Sequence, residues 1–162
     1  MAAPRSPAAL TPALAADPFD WDAALDLIRR AFAGMEGRID PPSSLQYFTT
    51  DDLRAGEFWV IGDPPLACVM MTPKPHALYL GKLAVEPGQT RQGLARALIQ
   101  TAETRARALG LPALELQTRV ELSENHATFQ ALGFHEFART AHAGFSRPTA
   151  ITYRKTLSPF IA

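Results

Sequence analysis

The sequence predicts an α/β domain on one sheet, antiparallel in its first half and mixed in its second. Three observations carry this. Apolar residues recur at helical spacing through Trp21, Ala24, Leu25, Ile28 and Phe32. Three β-rich runs, "EFWVIG", "LACVMMT" and "ALYLGKLAV", then follow with only "DPP" and "PKP" turns between them, and turns that short join antiparallel neighbours. After "EPGQTRQG" the pattern alternates: helix, strand, helix, two strands.

Taken in order, residues 1–16 are rich in Ala and Pro and form either a tail or a first edge strand near Leu10–Leu14. "DPFDWDAALDLIRRAFAGMEG" reads as a helix capped by Asp20. "RIDPPSS" is a loop because its prolines forbid helix, and Ser43 or Ser44 can cap a shorter helix over Leu45–Arg54. After the three strands, a helix is expected from Gln92 to Leu109, with Leu94, Ala95, Leu98, Ile99, Ala102, Ala106 and Leu109 as its apolar stripe. Glu103 stands one turn before Arg107, at pairing distance on a helix. "PALELQT" alternates as a strand, "SENHATFQAL" is a short helix behind Ser123 and stopped by Gly133, and strands near Phe134–Thr140 and Ala150–Thr156 close the chain. One domain over 17–157 follows, with 158–162 as a tail.

The totals narrow the function. The chain has 162 residues, 47% of them hydrophobic, enough for one domain with a real core. A formal net charge of zero argues against a general nucleic-acid binder, which needs surplus Lys and Arg. No apolar run approaches the ~20 residues of a membrane helix. The start is broken by Pro4, Pro7 and Pro12 and makes a poor signal peptide, so a cytoplasmic location is expected. Cys68 is the only cysteine and sits among apolar neighbours, as a buried structural thiol would. His76, His126, His135 and His142 lack ligand spacing, so no metal is expected.

Gly93 raises the chemical question. It lies between strand and helix, flanked by Arg91 and Arg96, although cations at a helix N-terminus cost roughly 0.3–1 kcal/mol each. A phosphate on the unpaired backbone N–H groups there would make those arginines favourable, and a glycine would let it approach closely. A tight turn with solvated arginines fits equally well. A Walker A loop is excluded because Leu94 and Ala95 stand where Lys and Ser/Thr are required, and G-x-G-x-x-G is absent.

A second stretch, "ENHATFQALGF", bears on the choice. The strand ending Leu83, Val85 and Pro87, followed by Gly93 and Ala95, resembles the pyrophosphate motif of the GNAT superfamily of acyl-CoA-dependent N-acyltransferases. Asn125, Phe129, Gly133 and Phe134 are similar to that family's second motif, in the same order and on the matching elements. The resemblance implies a mostly antiparallel, splayed sheet of six to seven strands with helices on both faces. It implies acetyl-CoA as co-substrate, with the pantetheine arm along Leu83, Ala84 and Val85 and the pyrophosphate on Thr90, Arg91, Gln92, Gly93, Leu94, Ala95 and Arg96. Asn125 would approach the pantetheine and Phe129 the thiol.

Two positions depart from the family pattern. Thr90 replaces the usual Arg or Gln, and Phe129 stands where a tyrosine often protonates the leaving thiolate. Tyr79, Tyr153 or water remain as substitutes. The implied reaction is direct attack of an amine on the thioester, which requires a base. Strand alternation puts Glu115 and Gln117 on one face, making Glu115 the candidate, with Glu121 as a weaker one; a solvated carboxylate balancing an arginine fits Glu115 as well. Arg38, Asp40, His142 and Arg147 are candidate contacts to a small-molecule or peptide amine, or else surface charges. The expected state is monomer or homodimer, with no nucleic acid or membrane partner. The alternative is a CoA-binding module without transferase activity.

Overall fold

The computed structural model describes residues 11–158. The start of the Ala/Pro-rich segment, with Leu10, and the tail from 159 lie outside the described residues. Among the described residues seven strands form one open sheet in the order β1-β2-β3-β4-β5-β7-β6. They are β1 (Ala13–Leu14), β2 (Glu57–Ile61), β3 (Ala67–Pro73), β4 (Leu78–Val85), β5 (Ala113–Arg119), β6 (His135–Thr140) and β7 (Ala150–Thr156). Among the described residues four α-helices join them: α1 (Trp21–Phe32), α2 (Thr50–Arg54), α3 (Leu94–Ala108) and α4 (Ser123–Ala131). Every neighbouring pair is antiparallel except β4 with β5. The mixed α/β sheet expected from the sequence is the observed one.

Each sheet face has its own core. On one face α1 buries Trp21, Ala24, Leu25, Leu27 and Ile28, and these meet Leu53, Phe58, Val60, Cys68 and Ala84. On the other face α3 buries Leu94, Leu98, Ile99, Ala102 and Ala106 against strand residues including Leu80, Leu114, Leu116 and Ile151. Asp20 caps α1 by accepting from the Ala23 N–H at 3.0 Å. Cys68 is fully buried, and burial pushes its thiol up to about 12, which fits a structural role.

Local expectations fail where tertiary partners intervene. The helix expected over Leu45–Arg54 is broken: a 3-10 turn covers Ser44–Tyr47, Phe48 is extended, and α2 restarts behind a Thr49–Asp52 capping box. A new cap inside the run stops the first segment from propagating. Helix α3 begins at Leu94, not Gln92, because Arg91 and Gly93 both adopt left-handed φ angles. Leu109 is the C-cap of α3 and is 38% exposed, so it leaves the apolar stripe. Glu103 pairs with Lys155 of β7 at 2.7 Å instead of with Arg107. Ser123 is the first residue of α4 rather than its cap, a place taken by Leu122 without a side-chain bond.

The parallel pair β4/β5 defines the centre of the molecule. Only Leu78–Leu114 and Tyr79–Glu115 are paired; beyond them the strands part. Between the Cys68–Ala84 and Met70–Gly81 pairs, two residues of β4, Lys82 and Leu83, oppose the single Val69 of β3. Lys82 takes φ +53° there. A bulge of this kind bends its strand and increases its twist, carrying β4 away from β5.

Candidate active site

The gap between the two strands opens towards the N-terminus of α3. Gly93 caps that helix with φ +79°, and no side chain bonds to the cap. A Cβ placed on Gly93 would meet nothing within 4 Å, so the ground in front of the helix is open. The first turn of an α-helix leaves its N–H groups without intrahelical partners, and the macrodipole makes that end attractive to anions. Arg91 and Arg96 flank it, and its first turn carries no acidic residue. The nearby Glu86 is held by Arg30 of α1 at 2.7 Å, which neutralises a charge that would otherwise repel an anion. These residues fit a pyrophosphate.

Along the gap, β4 presents Leu83 and Val85 towards the α3 core and Ala84 towards the α1 core. Among the described residues the gap-side backbone of β4 beyond Tyr79 has no strand partner, so it can pair with an extended molecule. Asn125 of α4 donates from Nδ2 to Thr118 Oγ1 at 3.2 Å, reaching β5 where the strands have separated. Phe129 lies in the same core, its ring centroid 6.0 Å from Tyr153 and 6.3 Å from Phe134. Tyr153 is buried, and burial together with Glu136 holds its hydroxyl proton on, against Arg139 and a hydrogen bond with Gln130. Tyr79 is on the opposite face beside Glu115, where burial and the Glu115 charge likewise raise its hydroxyl.

Glu115 and Gln117 face away from the α3 core, as the alternation requires. Glu115 Oε1 accepts from Arg154, with the Nε contact at 2.8 Å, so this carboxylate already has a cation. Gln117 donates to Thr152 Oγ1 at 3.1 Å.

Three of the four candidate acceptor contacts, Arg38, Asp40 and Arg147, belong to a clasp, and the fourth, His142, stays within the β6–β7 connection. Arg38 binds both oxygens of Glu124 at 2.6 and 2.9 Å, holding that carboxyl down at about 2. Arg147 binds Asp40 at 3.0 Å, the Asp40 N–H donates to Glu121 Oε2, and Arg119 donates to the Pro41 carbonyl at 2.7 Å. His142 bonds Thr149 through its backbone N–H and its ring. The loop after α1 is thereby fastened across the end of the gap to β5, α4 and the β6–β7 loop. A cavity of about 500 Å³, lined by Phe32, Met35, Ile39, Pro42 and Leu45 among others, lies beside this loop and includes no residue of β4 or β5.

Two cations at the gap escape motif reading. Lys82 extends from the bulge with its Nζ 4.8 Å from the Phe48 ring centroid. Burial draws its ammonium below the ordinary range, partly offset by Asp52. Burial also draws Arg119 down, against the charges of Glu121 and Asp40. The available signal was a lone lysine inside the otherwise apolar "ALYLGKLAV".

A gap between parted parallel strands, ending at an open helix N-terminus with two arginines, defines a protein that can hold an extended molecule with an anionic head. The chain belongs to the acetyltransferase (GNAT) family, whose profile matches residues 21–134. It is therefore an acyltransferase by family. No curated protein matches it in sequence. Among solved structures it is similar to the ribosomal-protein-S18-alanine N-acetyltransferase of Escherichia coli, with TM-score 0.67, 23% identity, 91% of this chain and 94% of that one covered. It is similar to a GNAT family acetyltransferase of Elizabethkingia anophelis with acetyl-CoA bound, with TM-score 0.65, 16% identity, and 91% and 97% covered. An acetyltransferase of Streptococcus agalactiae gives TM-score 0.67 and 16% identity over 90% and 98%. At these identities the likeness is one of fold. Among the described residues no helix is long and apolar enough to cross a membrane.

Proposed function

We propose that the protein transfers an acetyl group from acetyl-CoA to the primary amine of a small molecule or peptide, by direct attack of the amine. The observation that carries this reading is the single path from the β4/β5 gap to the Gly93-capped end of α3. Acetyl-CoA supplies an activated acyl group on a thiol of pKa about 8.5, able to leave as thiolate near neutral pH. Thr90 to Arg96 bind the pyrophosphate through backbone N–H groups and the two guanidinium groups. Leu83, Ala84 and Val85 align the pantetheine, and their backbone supports the charge that develops on the carbonyl oxygen. Asn125 and Phe129 wall the gap on the α4 side.

The amine adds to the thioester carbonyl to form the C–N bond in a tetrahedral intermediate, the nitrogen sheds a proton, and collapse of the intermediate then breaks the C–S bond. Glu115 is the candidate to receive that proton, through the oxygen that Arg154 does not occupy. Phe129 cannot protonate the leaving thiolate, so the thiolate departs charged or takes a proton from water.

The test is a free-thiol assay with acetyl-CoA against amino acids, polyamines and peptides, beside calorimetry with CoA. Acceptor-dependent thiol release is expected. Tight CoA binding with no release from any amine class would replace this reading with a CoA-binding module.

A further inference from the structure

We propose that the acceptor carries a carboxylate beside its amine, and that Lys82 and Arg119, one on each lip of the β4/β5 gap, hold it. This rests on the transferase reading above. Counting on from the last paired residues, Tyr79 and Glu115, Lys82 is three residues along β4 and Arg119 four along β5. The two cations therefore stand at nearly the same level of the opening. Both also touch the same loop: Arg119 donates to the Pro41 carbonyl, and Lys82 lies against Phe48.

Partial burial without an ion-pair partner sets them apart among the described residues, since Arg29, Lys74, Arg91 and Arg96, which also lack such a partner there, are exposed. Seven arginines of the described residues sit in carboxylate pairs, even where half exposed: Arg30, Arg38, Arg54, Arg105, Arg139, Arg147 and Arg154. Lys82 and Arg119, more enclosed than most of these, have no carboxylate within ion-pair distance among the described residues. The acids around them are engaged elsewhere. Asp52, facing Lys82, closes the capping box with Thr49. Of those facing Arg119, Asp40 is held by Arg147, and Glu121 accepts the Asp40 N–H through Oε2. The other oxygen of Glu121, Oε1, is buried without a partner among the described residues.

Partly buried cations without a counter-ion carry a desolvation cost that a bound anion would offset, and the downward shift of both groups agrees with that cost. The phosphates of CoA do not supply this anion in the proposed pose. They occupy the end of α3, beyond Val85, whereas Lys82 leans towards Phe48 and Asp52 on the α1/α2 face. A primary amine with a neighbouring carboxylate, as in a free α-amino acid, matches the opening. A peptide N-terminus offers a neutral amide at that position instead.

The experiment measures acetyl-CoA-dependent thiol release with the primary α-amino acids and, separately, with their C-terminal amides. Lys82→Gln and Arg119→Gln are assayed beside the unaltered protein, with CoA affinity as the folding control. Acids should exceed their amides in kcat/KM by about tenfold or more, the scale of a charge-assisted hydrogen bond. Each variant should shrink that ratio while retaining CoA affinity. Equal use of amides, or preference for them, overturns the carboxylate assignment and leaves the transferase standing. A preference that persists in both variants also overturns it, because the cations then do not read the carboxylate. Absence of release with every primary amine, while CoA still binds, removes the transferase reading and this proposal with it.

Discussion

Arg154 donates from Nε to Glu115 Oε1 at 2.8 Å, and its guanidinium carbon lies 3.7 Å from the centroid of the Phe137 ring. One side chain thus joins β5, β7 and β6 on the face not covered by α3. It fixes the direction of the only carboxylate on β5 and gives the exposed Phe137 a partner. A cation over an aromatic face is worth about 0.5–1 kcal/mol at an exposed site.

Glu115 can be tested through this pair. Glu115→Gln keeps the shape and an acceptor for Arg154 but removes the basic oxygen. We expect kcat to fall about 10²-fold or more with CoA affinity unchanged. An unaltered kcat across pH 6 to 9 would take Glu115 out of the proton transfer and leave it a structural partner of Arg154.

Gly93→Glu should abolish CoA binding. The substitution puts a side chain at φ +79°, where L residues are strained by roughly 1–2 kcal/mol. It also sends bulk and negative charge into open space before α3. Gly93→Ala carries the strain without the charge and should retain weaker binding. Calorimetry on both folded variants separates the effects, and near-normal affinity in Gly93→Glu would be fatal to the phosphate assignment.

Phe129→Tyr should raise turnover by about threefold or less, because thiolate departure already needs little help. The ring stands close to Tyr153 and Phe134, where an added hydroxyl has little polar company. A gain of 10² or more would show that the unaltered site lacks an acid it needs. Turnover with a verified acceptor decides.

The Arg38–Glu124 link should weaken in acid. Its carboxyl is held at about 2, below the usual carboxylate range, mainly by the Arg38 hydrogen bonds. A depressed carboxyl contributes stability above its unfolded pKa, and that contribution is lost as pH falls from about 4.5 towards 2. Amide exchange in residues 36–48, measured relative to the unfolded-chain rate at each pH, should therefore quicken over that window. Arg38→Ala should produce the same quickening at neutral pH, and a loop equally protected in this variant would count against the clasp.

Cys68 supplies a prediction at the other end of the pH scale. Burial raises its thiol to about 12, so the folded chain keeps the proton that the unfolded chain gives up. The sign is a loss of stability as pH rises above the unfolded value of about 8.5. Below that value the thiol should resist alkylation until denaturant is added. Rapid labelling of the native protein at pH 8 would contradict its burial.

The elements governed by local rules were legible in the sequence, and those governed by distant partners were not. Gly93 at the strand-to-helix junction, the Asp20 cap and the alternation of Leu114, Glu115, Leu116 and Gln117 depend on neighbouring residues, so spacing suffices to read them. The break at Phe48 depends on which of two caps prevails, Ser43 or Thr49. Glu103 meets the rule for pairing with Arg107, yet β7 brings Lys155 to it from far along the chain. Arg38, Asp40, His142 and Arg147 can be grouped in the sequence by loop, but the Arg38–Glu124 and Arg147–Asp40 links depend on the folded loop. Lys82 and Arg119 fit no motif; only the parting of β4 from β5 sets them opposite one another.

The two halves of the sheet are bound unequally on their two sides, rather like the covers of a book. On the α3 side one continuous core spans both halves, from Leu80 to Leu114 and Ile151, and acts as the spine. On the other side the fastenings across the opening are polar, and the Arg38–Glu124 and Arg147–Asp40 links are half exposed. Such exposed links are worth about 0–1 kcal/mol each, whereas separating the core would cost several times more per buried side chain. Loosening the covers on the clasp side therefore costs two exposed ion pairs and the Arg119–Pro41 and Asp40–Glu121 hydrogen bonds, with no buried apolar side chain separated. The spine stays shut, so a visitor can enter and leave without the core being rebuilt.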